Sequence, residues 1–436
     1  MTAASGLTIL LTGATGLIGS AVAARLAQNG HEVVGVARSL GTDTRRVAAA
    51  RWVALDLRAI GGPEDWLPHL AGIDAVVNCA GALQDGGRDS VAAVHRDAPA
   101  ALWSACEQAG VRRVIQLSAI GVDRGGVTGF SRTKSEGDAA LEASGLDWAI
   151  LRPSVVVGRQ AYGGSALFRG LAALPVLPRT PEAGPLDIVQ LDDVAETVAR
   201  MLRPGAPSRA VLELAGPDRL SFEEVVAAYR QWLGWKPARP VSIPGWAMDA
   251  AYRIGDLAGR LGWRPPIRST ARREIARGAV GDPSEWMRLT AIEPRPLAAA
   301  LAAEPASVQE RWFARLYWLK PLAIATFALF WLLTGLVSLG PGYGIAVATM
   351  RATDAAALAE ASTIAGGVLD IVVGGLILWR PTARTGLILA FLLSLSYVAA
   401  GTLLLPALWA DPLGPMMKIW PILVLNLICL AILEDR

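Results

Sequence analysis

The sequence predicts an α/β fold with a doubly wound parallel sheet, followed by an all-α bundle of four transmembrane helices. Two observations carry this prediction. Short β-branched runs alternate with helical periodicity through the first half of the chain, which is typical of parallel strands joined by crossover helices. The last third contains four long segments that are almost free of charge.

Five short apolar runs are predicted to form parallel strands. They cover residues 7–12, 31–37, 75–79, 111–117 and 148–151. The first crossover helix is predicted over residues 16–28, because Asn29 and Gly30 form a stop signal directly after it. A second helix is predicted over residues 221–234, where Ser221 is followed three residues later by Glu224 in a capping pattern.

The length predicts two or three domains, because a chain of 436 residues is too long for one core. Hydrophobic residues make up 53% of the chain, and the excess is concentrated near its end. We expect an α/β domain over residues 1–235 and a basic, Trp-rich helical subdomain with a juxtamembrane segment over 236–320. A four-helix transmembrane domain is expected over 321–436.

Four segments are each close to the ~20 residues that a helix needs to cross a bilayer. They cover residues 321–339, 361–379, 386–410 and 415–433. Arg311, Arg315 and Lys320 precede the first segment, and Arg380 and Arg384 lie between the second and third. The positive-inside rule therefore places both termini and the α/β domain in the cytoplasm, in a multi-pass protein of the inner membrane.

Asp370 interrupts the second of these segments. A carboxyl group at mid-bilayer costs a few kcal/mol on insertion scales, so it is expected to face other helices or a cavity. Asn426, or Ser394, Ser396 and Tyr397, are available to bond it. A structural hydrogen bond and a proton- or quinone-related site are both open interpretations.

The net charge of +3 hides a basic region. Residues 236–320 contain 14 Lys and Arg against 8 Asp and Glu, just before the membrane segments. We expect this region to meet anionic lipid headgroups; no groove-binding motif accompanies it, so nucleic acid is not an expected partner. Four of its tryptophans, Trp246, Trp263, Trp286 and Trp312, fit either a membrane interface or the core of a small helical subdomain.

Cysteine and histidine are scarce, with three of each in the chain. Their scattered positions predict neither a disulfide framework nor a metal site. The apolar start lacks a basic n-region and has glycines at turn spacing, so it is not expected to be a signal peptide.

A glycine-rich turn is predicted between the first strand and the first helix. It reads Thr12-Gly13-Ala14-Thr15-Gly16-Leu17-Ile18-Gly19. Gly13 permits the tight turn, Gly16 lets the backbone approach a pyrophosphate, and Gly19 permits close packing of helix on strand. The free N–H groups at the helix start favour negative charge, so the turn predicts a dinucleotide site.

The end of the second strand distinguishes the two nicotinamide cofactors. Sites for NAD usually carry Asp or Glu there, which bonds the ribose 2′-hydroxyl. This chain has Arg38 and no carboxylate, followed by Arg45 and Arg46. Because arginine pairs with a 2′-phosphate, NADP(H) is favoured over NAD(H).

Taken together, several motifs resemble the short-chain dehydrogenase/reductase superfamily, in its extended and atypical branches. They are TGATGLIG, Asp56-Leu57, NCAGA, RTKSEGDAAL and ILRPSVVVG, within residues 6–235. The chain is most similar to NAD(P)-binding proteins related to the 39-kilodalton accessory subunit of complex I, and its tail resembles DoxX-like four-helix membrane domains. The resemblance implies contacts from Asp56 and Leu57 to adenine, from Ala80 and Gly81 to ribose, and from Pro153 near the nicotinamide.

The chain departs from this superfamily at the catalytic motif Tyr-x-x-x-Lys. Phe130 stands at the tyrosine position and has no transferable proton, whereas Lys134 is retained and is implied to bond the nicotinamide ribose. Ser118 is the candidate for the superfamily's substrate-polarising hydroxyl, or it caps the next turn. Tyr162, Asp123 and Arg124 lie in nearby segments, but their spacing identifies none of them as the proton donor.

Three functions are compatible with these features. The first is a membrane-bound NADP(H)-dependent oxidoreductase acting on a lipophilic substrate such as a quinone, an isoprenoid or a lipid-linked compound. The second is a non-catalytic NADP(H)-binding sensor or assembly factor, which the loss of the tyrosine favours. The third and weaker one is a nucleotide-sugar epimerase or dehydratase, whose chemistry in this superfamily also uses that tyrosine.

Overall fold

The computed structural model describes residues 6–86, 89–125, 128–180 and 182–434. The chain forms two compact units. The first contains the chain up to Asp256 together with Pro265–Ala314, and the second contains Leu257–Arg264 and the chain from Arg315 onward.

Seven parallel strands form the central sheet of the first unit, in the order β3-β2-β1-β4-β5-β6-β10. Their bounds are β1 Thr8–Thr12, β2 Glu32–Ala37, β3 Arg51–Ala54, β4 Ala75–Asn78, β5 Arg113–Leu117, β6 Asp147–Pro153 and β10 Ala210–Leu214. Strands β7 Val155–Val157, β8 Val176–Arg179, β9 Leu186–Gln190, β11 Arg219–Leu220 and β12 Arg239–Ser242 form two smaller sheets. The strand order reverses direction at β1 and β4, which creates a crevice at their carboxyl ends.

Helices cover both faces of the central sheet. Those of the first unit are α1 Leu17–Gln28, α2 Thr42–Arg45, α3 Ala98–Ala109, α4 Gly129–Glu142, α5 Gly163–Ala172, α6 Leu191–Met201, α7 Phe222–Trp232, α8 Gly245–Arg260, α9 Ser269–Arg277, α10 Ser284–Thr290 and α11 Leu297–Ala303, with the end of α8 in the second unit. Ile9 and Leu11 of β1 pack in the core that contains α1 and α6, whereas Leu10 packs in the core that contains α3. This arrangement confirms the predicted doubly wound α/β fold.

The predicted capping pattern is present at the start of α7. The Ser221 hydroxyl accepts a bond from the Glu224 N–H at 3.2 Å, and the Glu224 carboxylate accepts one from the Ser221 N–H at 2.7 Å. Two N–H groups that a helix start leaves unpaired are thereby satisfied.

Four tryptophans of the basic region lie in different environments. Trp286 is 0% exposed and donates from its indole N–H to Thr197 Oγ1 at 2.8 Å, as a core residue does. Trp263 donates to the carbonyl of Leu378 within the second unit. Trp246 and Trp312 are 75% and 63% exposed. The core interpretation therefore fits Trp286, and the interface interpretation stays open for the two exposed rings.

The remaining helices are α12 Val308–Leu339, α13 Tyr343–Arg351, α14 Ala359–Leu378, α15 Ala383–Leu404 and α16 Pro415–Ile432. Four of them, α12, α14, α15 and α16, are long and apolar enough to cross a membrane. Close approach of α14 to α12 depends on small residues, since a Cβ at Gly374 would lie 2.8 Å from the carbonyl oxygen of Ala328. Asp370 of α14 is buried and accepts a hydrogen bond from Tyr397 Oη at 2.7 Å.

Candidate functional site

The glycine-rich turn lies at the crevice between β1 and β4. Gly13 has a φ of +65°, and a Cβ there would lie 2.6 Å from the backbone nitrogen of Ala80. A Cβ at Gly19 would collide with the carbonyl oxygen of Gly13. Neither position therefore accepts a side chain. At Gly16 a Cβ would meet only Gly13 O, at 3.2 Å, so the side facing away from the protein is open to a ligand.

The start of α1 is suited to bind phosphate. Among the described residues, no side chain caps α1, and its first turn carries no acidic group. The N–H groups near Leu17 and Ile18, together with the helix dipole, favour an anion next to Thr15 and Gly16.

A chain of buried amide and hydroxyl groups aligns the strand ends beneath the turn. Thr12 Oγ1 donates to Asn78 Oδ1, and Asn78 Nδ2 donates to Gln116 Oε1 at 2.7 Å. The same Asn78 oxygen accepts the Ala80 N–H at 3.1 Å. The ends of β1, β4 and β5 are thus joined by side chains, and Ala80 and Gly81 follow directly from this network. Sequence reasoning missed the role of Gln116.

The residues predicted to contact the adenosine end follow β2 and β3. Arg38 Nη1 lies 3.0 Å from Asp89 Oδ1, and its side chain is 41% exposed. Asp56 pairs with Arg58 at 2.6 Å, and the hydrogen bond from Arg58 lowers the pKa of the Asp56 carboxyl. A 2′-phosphate at Arg38 would compete with Asp89 for the guanidinium.

Phe130 and Lys134 lie one turn apart on α4. Lys134 is buried, its Nζ lies 5.9 Å from the centre of the Phe130 ring, and it donates to the carbonyl of Leu117 at 2.9 Å. Burial lowers the pKa of the Lys134 ammonium. The lysine thus reaches the carboxyl end of β5, beside Ser118.

His95 packs edge-on against Phe130, with ring centres 5.4 Å apart. Its Nε2 accepts the Ala82 N–H at 3.0 Å, so in the neutral ring Nδ1 carries the proton and donates to Thr133 Oγ1 at 3.0 Å. Burial lowers the pKa of His95 to about 2. A neutral imidazole with both nitrogens bonded does not replace the missing phenol as an acid.

Ser118 is bonded to a buried carboxylate. Its Oγ donates to Asp138 Oδ2 at 2.7 Å, and Arg152 donates to the same oxygen from Nε and Nη2, each at 3.2 Å. Burial raises the pKa of Asp138, while the bonds from Ser118 and Arg152 oppose that shift. Sequence reasoning missed Asp138, although its position four residues after Lys134 places both on one face of α4.

Two of the other groups considered as replacements for the tyrosine are held in ion pairs, and Asp123 shares Arg152 with Asp138. Asp123 accepts from Arg152 Nη1 at 2.5 Å, and Arg124 pairs with Glu213. Tyr162 precedes α5 and is partly exposed. Pro153 ends β6, at the same edge of the sheet as Ser118.

Helix α9 binds the start of α4 and the loop after β5. Arg277 donates to the carbonyls of Gly121 and Ile120 at 3.1 Å and to Ser131 Oγ at 2.8 Å. Glu274 accepts from the Ser131 and Thr128 hydroxyls. Sequence reasoning missed these contacts, because no local pattern relates residues so distant along the chain.

Two family models match this chain. Residues 13–203 match the NAD(P)H-binding family, and residues 328–427 match the DoxX-like family. The first match includes the glycine turn from Gly13 onward and all of α4, and the second includes Asp370 and Tyr397.

Curated relatives match mainly the first part of the chain. A protein of Mycobacterium tuberculosis is 28% identical over 54% of this chain, but the match spans only 24% of that relative's length. Ceramide reductase of Caulobacter vibrioides is 24% identical over 59% of this chain and 80% of its own. Sterol demethylase protein B of Methylococcus capsulatus is 26% identical over 70% of this chain and 99% of its own.

Solved structures share the fold. The enzyme WbmG of Bordetella bronchiseptica, in complex with NAD, has a TM-score of 0.54 at 18% identity and covers 70% of this chain and 95% of its own. The UDP-glucose 4-epimerase of Thermotoga maritima has a TM-score of 0.51 at 15% identity and covers 72% of this chain and 100% of its own.

This chain therefore joins an NAD(P)-binding Rossmann domain, which has relatives of the short-chain dehydrogenase/reductase type, to a DoxX-like domain. Its four apolar helices indicate a membrane protein.

Proposed function

We propose that the protein is a membrane-anchored NADP(H)-dependent oxidoreductase that acts on a lipophilic substrate. The observation that carries this proposal is the nucleotide crevice: an uncapped helix start lies next to Gly16, and Arg38 follows β2 at the same edge of the sheet. Phosphates at the helix start and a 2′-phosphate at Arg38 would be bound by complementary charge.

Ser118 and Lys134 are the groups that we assign to the reaction. In this assignment Lys134 bonds the nicotinamide ribose and Ser118 bonds an oxygen of the substrate. NADPH supplies the hydride when it is bound, and the protein orients the two reactants.

A lipophilic substrate is supported by the four apolar helices and by two relatives whose names refer to a ceramide and a sterol. A quinone, an isoprenoid and a lipid-linked compound each fit this description. Such a substrate partitions into the bilayer, so anchoring the enzyme there raises the concentration that it meets. We place the Rossmann domain and both termini on the cytoplasmic side, where Arg380 and Arg384 follow the positive-inside rule.

A second function is favoured by one observation. Phe130 cannot donate a proton, and His95 beside it is neutral and fully bonded. A non-catalytic NADP(H)-binding sensor or assembly factor needs only the binding half of the site, which is retained. A nucleotide-sugar epimerase is the weaker alternative, because its chemistry in the superfamily uses the tyrosine that Phe130 replaces.

The test uses the full-length protein in detergent. We expect it to bind NADPH more tightly than NADH and to oxidise NADPH when given lipophilic quinones or carbonyl compounds. Arg38→Ala is expected to weaken NADPH binding about 10- to 100-fold with little effect on NADH, as for the loss of a charge-assisted bond. Arg51→Ala, an exposed arginine paired with Glu32, is the matched control and should change neither affinity.

Turnover distinguishes the two main functions. Bound NADPH without any oxidation across the substrate panel would contradict the enzyme and support the sensor. Phe130→Tyr restores the phenol one turn before Lys134 and is expected to raise turnover if the site is catalytic.

A further inference from the structure

A cavity of about 270 Å³ in the first unit lies among α1, α5, α6, α7 and α11. It is lined by Arg25 of α1, Arg169 of α5 and Tyr229 of α7, among others. None of the residues that we assign to the nucleotide or to the reaction lines it. The cavity is thus separate from the crevice at the strand ends.

Arg169 is a buried cation in the wall of this cavity. The residue is only 2% exposed. Its guanidinium lies 5.7 Å from the centre of the Tyr229 ring and 5.3 Å from the centre of the Trp232 ring. Nη2 donates to the carbonyls of Gly158 and Arg159. Within the described part of the chain, no carboxylate lies within 4.0 Å of it, and Glu304 and Glu310 act on it only from longer range.

Three residues that line the cavity each carry a buried polar atom with no hydrogen-bond partner among the described residues. These atoms are Nε of Arg169, Oη of Tyr229 and Nε2 of Gln190. All three are able to donate a hydrogen bond. A buried donor without a partner costs about 1–3 kcal/mol, more when it is charged, so an occupant that accepts hydrogen bonds would stabilise this region.

The cation that has no partner carboxylate defines the occupant. Four arginines line the cavity, at positions 25, 159, 169 and 295, together with the carboxylates of Asp192 and Glu304. Arg25 and Arg159 are paired with Glu196 and Glu310 at 3.6 and 3.8 Å, whereas Arg169 has no carboxylate within 4.0 Å among the described residues. We propose that this cavity binds the phosphate or carboxylate group of a small metabolite. Oxygen atoms of such a group accept hydrogen bonds, and its negative charge neutralises the Arg169 guanidinium. The volume is below that of typical pockets for drug-sized ligands, which limits the ligand to a few heavy atoms beyond the anionic group.

This inference does not rest on the proposed reaction, and its test keeps the nucleotide site occupied. The full-length protein in detergent is saturated with NADPH and titrated with sodium phosphate or sodium malonate, with sodium chloride at equal ionic strength as reference. Binding is read by calorimetry and by the rise in Tm. We expect a saturable effect of phosphate or malonate that chloride does not produce.

Two variants identify the site. Tyr229→Phe keeps the ring beside Arg169 and removes only the hydroxyl, and it is expected to weaken anion binding about tenfold. Arg169→Gln is expected to abolish binding, and Tyr252→Phe, outside the cavity, should leave it unchanged. If neither anion differs from chloride, or if both Tyr229→Phe and Arg169→Gln bind as the unaltered protein does, the proposal is wrong. Because Tyr229→Phe retains the packing, it provides the answer even if Arg169→Gln fails to fold.

Discussion

At the scale of single residues, the pair formed by His95 and Phe130 limits the acid–base chemistry of the candidate site. The imidazole Nδ1–H donates a hydrogen bond to Thr133 Oγ1, and the Thr133 hydroxyl in turn donates to the carbonyl of Gly129 at 2.8 Å. His95 therefore holds the start of α4 against the segment after β4. His95 is a structural residue, and the Phe130 ring beside it has no transferable proton. Both features reduce the acid–base capacity of the crevice.

The buried His95 makes stability depend on pH. Its pKa is about 2 in the folded protein and about 6.5 in an unfolded chain, so below pH 6.5 only the unfolded state takes up this proton. We expect the free energy of unfolding to fall by up to ~1.4 kcal/mol per pH unit between pH 6 and pH 5. Denaturant titrations in detergent at several pH values measure this slope.

His95→Gln provides the comparison, because an amide preserves one donor and one acceptor without titrating. The variant should lose the part of the slope that His95 contributes. Asp138, whose pKa burial raises, acts in the opposite direction and is the same in both proteins. Equal slopes in the two proteins would contradict a neutral, buried His95.

At the scale of elements, the five strands predicted from the sequence all contain buried β-branched residues, whereas the equally buried strand β9 was not predicted. Strands β1, β2, β4, β5 and β6 were all predicted to within a few residues. Strand β3 was not among the five predicted strands. It lies at the sheet edge, where its four residues are at most partly buried, and its apolar run Trp52-Val53-Ala54 is short.

The candidate site was predictable only where it depends on local sequence. The turn around Gly13 is a contiguous motif, and its required geometry follows from the strand before it and the helix after it. Ser131 donates to Glu274 and accepts from Arg277, and these bonds join segments more than 140 residues apart, a kind of pairing that leaves no local pattern. Asp138 lies between these cases, since its spacing from Lys134 was visible but its burial was not.

Helix α10 is expected to depend on Trp286. Trp286→Ala removes a fully buried ring and its bond to Thr197, so it should lower the free energy of unfolding by about 3–5 kcal/mol. Trp246→Ala is the control, because that ring is 75% exposed and its loss should cost less than about 0.5 kcal/mol. Thermal unfolding of both variants in detergent checks the difference. Equal losses would mean that Trp286 is not part of the core.

At the scale of the whole molecule, membrane orientation follows from charge. The positive-inside rule predicts that the loop between α14 and α15 is cytoplasmic and that the loops around Asp354 and Asp411 lie outside. Single cysteines introduced at Asp354 and Asp411 should therefore react with a membrane-impermeant maleimide in intact cells. A cysteine at Arg384 should react only after permeabilisation, with the unaltered protein as background. The reverse pattern would contradict the orientation.

The order of residues along the chain also determines when each part of the core is synthesised. The core on the α1 side of the sheet includes Trp286 and Ile292, which are made long after β1 and just before α12 begins at Val308. At ~5–20 residues per second, a ribosome passes from Ile292 to Val308 in roughly 1–3 s. The α1-side core of the first unit is therefore still receiving residues shortly before the first apolar helix is synthesised, so completion of that core and membrane insertion overlap in time on the same nascent chain.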